Sequence, residues 1–243
     1  MSGDFARVAF PNESDEYRAA RNVLLEAEIE LRRQTEAVAA MRRALPPGGE
    51  VPEDFVFERI GASFRPEKVR LSQLFGGFST ILIYSYMFGP ERDTPCPGCT
   101  HLLDGIDGAA RHVPQRAPIY VVARSPIARL AAWAHRRGWN HIDLLSTAGN
   151  RYSDHYYGNT ASLTPEMRAE RGYKPDESWD EPMLNVFTNK GHTIRHFWGS
   201  ELVFAPEDPG QHHRGLDFAD PVWGLLDTTP EGRGETFFPK VEY

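Results

Sequence analysis

Cysteine is scarce in this chain of 243 residues: there are 2, and they stand together as Cys96-Pro97-Gly98-Cys99. A framework of structural disulfides is therefore excluded. Basic residues are outnumbered, 27 Lys and Arg against 34 Asp and Glu, for a net charge of -7. No bulk positive field exists to neutralise phosphates, so nucleic acid is not an expected partner. No apolar run approaches the roughly 20 residues that cross a bilayer. Met1 to Pro11 also lacks the basic, apolar and small-residue order of a secretion signal. The predicted location is cytoplasmic and away from membranes. Internal repeats and low-complexity tracts are missing too. What remains, 40% hydrophobic and 25% charged, is the composition of a globular chain that can bury a sizeable core.

Ala20, Leu24, Ala27, Leu31, Val38, Met41 and Leu45 recur at steps of three and four, which predicts one long helix with a single apolar stripe. Asn12 or Ser14 can cap its start, and Pro46-Pro47-Gly48-Gly49 ends it. Residues 1–49 therefore read as an N-terminal helical arm, packed on the body or paired in a coiled coil, which makes a homodimer one expectation. The body is then residues 50–243.

In the body, Phe55 to Ile60 and Lys68 to Leu71 read as a short hairpin. Thr80 to Phe88 is apolar on both alternating faces, the pattern of a central strand covered on both sides. The cysteine motif follows Gly89-Pro90 and opens a helix through Leu102, Leu103 and Ile106. Ile119 to Ala123 predicts a second buried strand, and Ser125-Pro126 the cap and first residue of a helix ending at Gly138. Ile142, Leu144 and Leu145 form a further short strand or a turn. Residues 149–181, rich in Asn, Asp, Tyr, Gly and Pro, read as an insertion that acts as a lid or a contact surface. Pro182 to Thr188 and Thr193 to Trp198 predict a hairpin turning at Asn189-Lys190-Gly191, and Asp217 to Leu226 a last short helix. Alternating strands and helices point to an α/β fold.

Thiol-disulfide exchange needs a thiolate, a second thiol to resolve the mixed disulfide, and surroundings that favour the thiolate. Cys96 at a helix N-cap meets the unpaired N–H groups and positive dipole end of the helix, Pro97 suits the first helical position, and Cys99 lies one turn on. Cys96 is thus the predicted nucleophile and Cys99 the resolving thiol, with Arg92 and His101 as sources of nearby positive charge. Asp104 and Asp107 are candidate proton acceptors for Cys99, or only the solvated face of the helix. Two alternatives stay open: a metal site of Cys96, Cys99, His101 and His112, or with His192 and His196 as a distant pair, and inert thiols on a binding scaffold. No cofactor and no resident metal are expected. Tyr152, His155, Tyr156, Tyr157 and Trp179 could form an aromatic wall over the cysteines, or pin their own loop to the body.

The sequence resembles the thioredoxin superfamily through the strand Thr80 to Phe88, the Cys96-Pro97-Gly98-Cys99 helix start, the strand Ile119 to Ala123, and Pro182 leading into a strand-turn-strand. More closely it is similar to a bacterial thioredoxin-like family known as domain of unknown function 899, whose members carry the label dithiol-disulfide isomerase. Arg42 to Pro46, Val69 to Phe75, Met87 to Pro90, Cys96 to Thr100 with Leu103-Asp104-Gly105, Ser146 to Asn150 and Leu226 to Arg233 carry this likeness. The resemblance implies a thioredoxin-like fold: a central mixed sheet flanked by helices, with the N-terminal arm, and with the loop-rich insertion before the last hairpin. It further implies that Pro182 is a cis-proline beside the cysteine pair, binding substrate backbone together with Pro97. The implied partners are a disulfide-bearing protein or small thiol substrate and an unknown electron donor. Pro90 and Thr94 also suggest a peroxiredoxin-like peroxide reductase, but Thr94 lies one position too close to Cys96 for that pattern.

Overall fold

In the computed structural model, which describes residues 8–243, the hydroxyl of Ser14 accepts the N–H of Tyr17 at 3.1 Å and caps the first helix. Most of the leader reading made on Met1 to Pro11 falls on residues 1–7, outside those described. The chain divides into two units, Met1–Pro46 and Pro47–Tyr243. The first unit is helix α1, Asp15–Arg43, with Asp15 and Glu16 at its positive end and Arg42 and Arg43 at its negative end.

The second unit opens with strands β1, Val56–Ile60, and β2, Pro66–Arg70, followed by a single turn of helix, α2, Leu71–Leu74. Strand β3, Thr80–Ser85, leads to helix α3, Pro97–Ala109. Strand β4, Ile119–Ala123, helix α4, Ile127–Arg137, and strand β5, Asp143–Ser146, repeat the alternation. Short helices α5, Tyr152–His155, and α6, Pro165–Glu170, interrupt the segment predicted as an insertion. Strands β6, Met183–Lys190, and β7, Thr193–Gly199, form the hairpin, and helix α7, Pro221–Leu226, comes last.

Three local expectations shift. Helix α4 begins one residue later than predicted, with Pro126 rather than Ser125 at its cap, while the Ser125 hydroxyl serves Arg129 at 3.1 Å. The hairpin turns at Gly191 and His192, whose φ of 62° and 70° are the left-handed pair a two-residue turn demands, and β6 runs on through Lys190. Strand β3 stops at Ser85, so Tyr86 to Phe88 lead out of the sheet toward the cysteine loop.

Among the described residues the seven strands make one sheet in the order β2-β1-β5-β4-β3-β6-β7. Strands β3, β4 and β5 are parallel, and β6 runs antiparallel to β3 and to β7. A parallel βαβαβ run with an antiparallel hairpin against its first strand is the thioredoxin-like arrangement, here widened by the β1-β2 hairpin on β5. Side chains alternate across the pleat, so the sheet carries a core on each face. One face gathers Tyr84, Val121, Leu144 and Leu184 beneath α3 and α4. The other gathers Phe57, Ile81, Ile83, Leu145 and Phe187.

Candidate functional site

Gly89 and Pro90 end the run leaving β3, and the loop then turns back so that the N–H of Cys96 donates to the Met87 carbonyl at 3.0 Å. Cys96 is the N-cap of α3, with extended φ and ψ of -60° and 125°, and Pro97 takes the first helical turn, where its missing N–H costs nothing. The Cys96 carbonyl accepts the N–H of Thr100 at 2.9 Å and its hydroxyl at 2.8 Å. With that hydroxyl proton committed, Tyr86 must be the donor in its 2.8 Å contact with Thr100 Oγ1. These bonds fix the backbone of the motif from within the core.

The two thiols are unequal. Cys99 is 4% exposed and sits in the apolar cluster under the sheet, while Cys96 is only partly buried. A hydrogen bond from the Cys99 thiol draws the Cys96 thiol down to about 6. The N–H groups of Cys99 and Gly98 and the charge of Arg92 add to this, against the opposing effect of burial. The same contact and its own burial push Cys99 well above its ordinary value, with the Tyr84 hydroxyl bond pulling the other way. One thiol is ready to ionise while its neighbour keeps its proton.

Both cysteines line a cavity of about 400 Å³, and Pro182 lies in its wall. Pro97 does not line it; its place is the helix start. All peptide bonds among the described residues are trans, so the cis-proline implied for Pro182 is not present, although Pro182 shares the cavity wall with both cysteines. The approach of Pro182 to the cysteines is fastened by Asp180, which is 1% exposed. Its carboxylate accepts the N–H of Gly89 at 2.7 Å and the guanidinium of Arg124 at 2.8 Å, and pairs with Arg92 at 3.4 Å. Arg129 adds bonds to the carbonyls of Gly89, Arg92 and Asp93, tying down the loop that carries the motif.

Other candidates are sorted by the same geometry. His101 lines the cavity with its Nε2 3.3 Å from Asp220, and burial lowers its pKa, which favours the uncharged ring. Its Nδ1 is buried with no hydrogen-bond partner. The positive charge acting on Cys96 is that of Arg92. Asp104 takes the indole N–H of Trp139 at 2.8 Å and Arg137, and Asp107 accepts three backbone N–H groups from Asn140 to Ile142. Both carboxylates hold α3 to the turn before β5 instead of serving Cys99. His112 lies past the far end of α3, His192 in the hairpin turn, and His196 on β7 beside Asn185 at 2.9 Å. Among the described residues no three His, Cys, Asp or Glu side chains converge to hold a metal ion. Thr94 is exposed and outside the cavity wall.

The aromatic wall expected over the cysteines is on the opposite face. Tyr152 is fully buried against Phe55 and Phe57, with ring centroids 5.6 and 5.4 Å away, and Tyr156 packs on Phe187 at 4.9 Å. His155 joins Phe55 there, and Tyr157 meets Phe204. Tyr152 and Tyr156 belong to the Phe57-Phe187 core because apolar area is buried wherever the sheet leaves a face uncovered. Trp179 instead stacks under the Arg92 guanidinium, 5.2 Å from its ring centre.

What does cover the cysteines comes from beyond β7. Val203, Leu216, Trp223, Phe237 and Phe238 share the cavity wall. Sequence reasoning passed over them because they lie more than 100 residues from the motif. The one available signal was the run Leu226 to Arg233. Arg233, 7% exposed, binds Asp227 through two contacts of 2.7 Å and also Asp217, and its guanidinium lies 5.3 Å from the Trp223 ring centre.

No helix among the described residues is long and apolar enough to cross a membrane. None of the curated proteins compared matches the chain. Among solved structures it is similar to a peroxidoxin, BcpB, from Mycobacterium tuberculosis, at 18% identity and a TM-score of 0.41, over 72% of this chain and 94% of that one. It is also similar to a reduced 2-Cys peroxiredoxin of Plasmodium vivax, at 16% identity and a TM-score of 0.41, over 61% and 81% of the two chains. A third is a mutant of peroxiredoxin Q from Xanthomonas campestris, at 15% identity and a TM-score of 0.39, over 62% and 85%. A family model described as "Bacterial protein of unknown function (DUF899)" matches residues 8–243, and the chain belongs to that family.

Proposed function

We propose that the protein is a dithiol-disulfide oxidoreductase in which Cys96 is the nucleophile and Cys99 the resolving thiol. The thiolate of Cys96 attacks one sulfur of a substrate disulfide, forming a Cys96-substrate bond and releasing the other half as a thiolate. Cys99 then loses its proton and attacks Cys96, forming the Cys96-Cys99 disulfide and releasing the second half as a thiol. Two electrons pass from the protein to the substrate, and an external thiol donor, unidentified, returns them. Pro182 borders the place where the substrate sulfur would lie.

The single observation that carries this reading is the asymmetry of the pair: a half-buried Cys96 drawn down to about 6 on the wall of a cavity, beside a buried Cys99 pushed the other way. Thiolates react and thiols do not, so attack falls to the first and resolution to the second. Incubating reduced protein with bis(2-hydroxyethyl) disulfide, small and without charge, tests it. Mass spectrometry should find an intramolecular Cys96-Cys99 disulfide in the native chain, and a mercaptoethanol adduct confined to Cys96 in Cys99→Ser. No reaction, or an adduct on Cys99 in Cys96→Ser at the native rate, would leave a thioredoxin-like scaffold without this chemistry.

A further inference from the structure

The cavity beside Cys96 has walls supplied largely by residues after β7, and this closure bears on what can reach the sulfur. Phe238 stands over the start of α3: a Cβ placed on Gly98 would come 3.2 Å from its Cζ and 3.8 Å from Cys96 Sγ. Trp223 meets the His101 ring edge-on at 5.7 Å and Phe237 at 5.8 Å, so three aromatic residues form one side. Met87, Leu102 and Val203 supply apolar surface elsewhere in the wall. The covering segment is held on both sides, by Arg233 to Asp217 and Asp227 and by Arg137 donating to the Val241 carbonyl at 2.7 Å. A volume of about 400 Å³ is within the roughly 300–1,000 Å³ of small-molecule sites.

Both arginines of the wall are already paired: Arg214 contacts Asp227 at 2.7 Å and Arg233 holds Asp217 and Asp227. Of the wall's carboxylates, Asp220 faces the uncharged His101 ring and Glu235 is exposed. An anionic ligand would have to draw Arg233, 7% exposed, away from its carboxylates, and an apolar one would not. An extended protein chain laid along Pro182 would meet the same covering segment, since Pro182, Val203, Leu216 and Phe238 border one cavity.

We infer that the disulfide reduced at Cys96 is that of a small molecule that carries apolar or aromatic groups and no anionic ones, and that the segment from Gly215 to Phe238 excludes protein disulfides. This rests on the oxidoreductase reading above. The balance is that of that reaction: the protein dithiol and RSSR become the protein disulfide and two RSH.

The experiment measures single-turnover oxidation of the reduced full chain by 4,4'-dithiodipyridine, by insulin and by cumene hydroperoxide. Each rate is divided by that oxidant's rate with dithiothreitol, which cancels intrinsic reactivity. The aromatic disulfide should exceed insulin by about 100-fold or more on that scale, the size of discrimination an apolar pocket supplies. It should also show saturation, with the half-saturating concentration raised about tenfold in Trp223→Ala. Phe238→Ala, at an exposed position outside both core clusters, should narrow the preference over insulin, and Arg233→Ala should do so more strongly. Insulin reacting as fast as the aromatic disulfide, or an unchanged preference in both cover variants, would overturn the assignment, as would a faster normalised reaction with the hydroperoxide. Failure of every oxidant to yield the Cys96-Cys99 disulfide would instead sink the oxidoreductase reading itself.

Discussion

The carboxylate of Asp180 accepts the N–H of Gly89 at 2.7 Å, joining the loop that ends in Cys96 to the segment that ends in Pro182. The two residues are 91 positions apart, and the fit is close: a Cβ on Gly89 would lie 2.5 Å from Asp180 Oδ1 and 2.9 Å from Arg124 Nη2. Asp180→Ala should therefore cost about 3 kcal/mol, because Arg92 would be left mostly buried without a carboxylate, Arg124 would keep only Glu91, and the Gly89 N–H would lose its acceptor. Urea unfolding monitored by tryptophan fluorescence reads this directly. A loss below about 1 kcal/mol would mean that the arginines find water instead.

Alkylation of the reduced protein by iodoacetamide should rise with pH around a midpoint near 6, the value to which Cys96 is drawn. The sign follows from the acid being strengthened: above the midpoint the thiolate persists, and below it the thiol forms and the rate falls. Linkage runs the same way. This thiol stabilises the reduced fold above its ordinary pKa, and that contribution disappears as pH drops through about 6. A midpoint above 8 would count against the arrangement.

Arg92 contributes to lowering Cys96 through its charge. In Arg92→Ala the alkylation midpoint should move upward by up to about one unit. Arg92→Lys should restore part of the shift, which a purely steric effect of the substitution would not produce.

Tyr84, fully buried on β3, is hydrogen-bonded to Cys99 and favours its ionised form. Tyr84→Phe removes that bond without changing the packing much. Resolution of the mixed disulfide should slow by roughly tenfold, the weight of one hydrogen bond of about 1.4 kcal/mol, while attack by Cys96 is spared. Quenched-flow mass spectrometry would then find the Cys96-substrate adduct accumulating.

Phe187 is fully buried between Tyr152, Tyr156 and His196 on the face away from the cysteines. Phe187→Ala should destabilise the fold by about 3–5 kcal/mol. The Cys96 alkylation midpoint of the folded fraction should not move.

The sequence by itself determined the elements whose causes are local. The stripe from Ala20 to Met41 and the Ser14 cap specify α1, the two-sided apolar run from Thr80 specifies β3, and Cys96-Pro97 specifies the start of α3 with a thiol at its cap. Each depends on neighbours within a turn or a few residues, so spacing and residue type suffice. The tertiary structure alone decided which face the rings of Tyr152 and Tyr156 would cover, that Asp180 would bind Gly89, and that Trp223, Phe237 and Phe238 would close over Cys96. Those outcomes depend on apolar area and buried charge finding partners across 90 or more positions, where burial and pairing over the whole sheet outweigh any local preference.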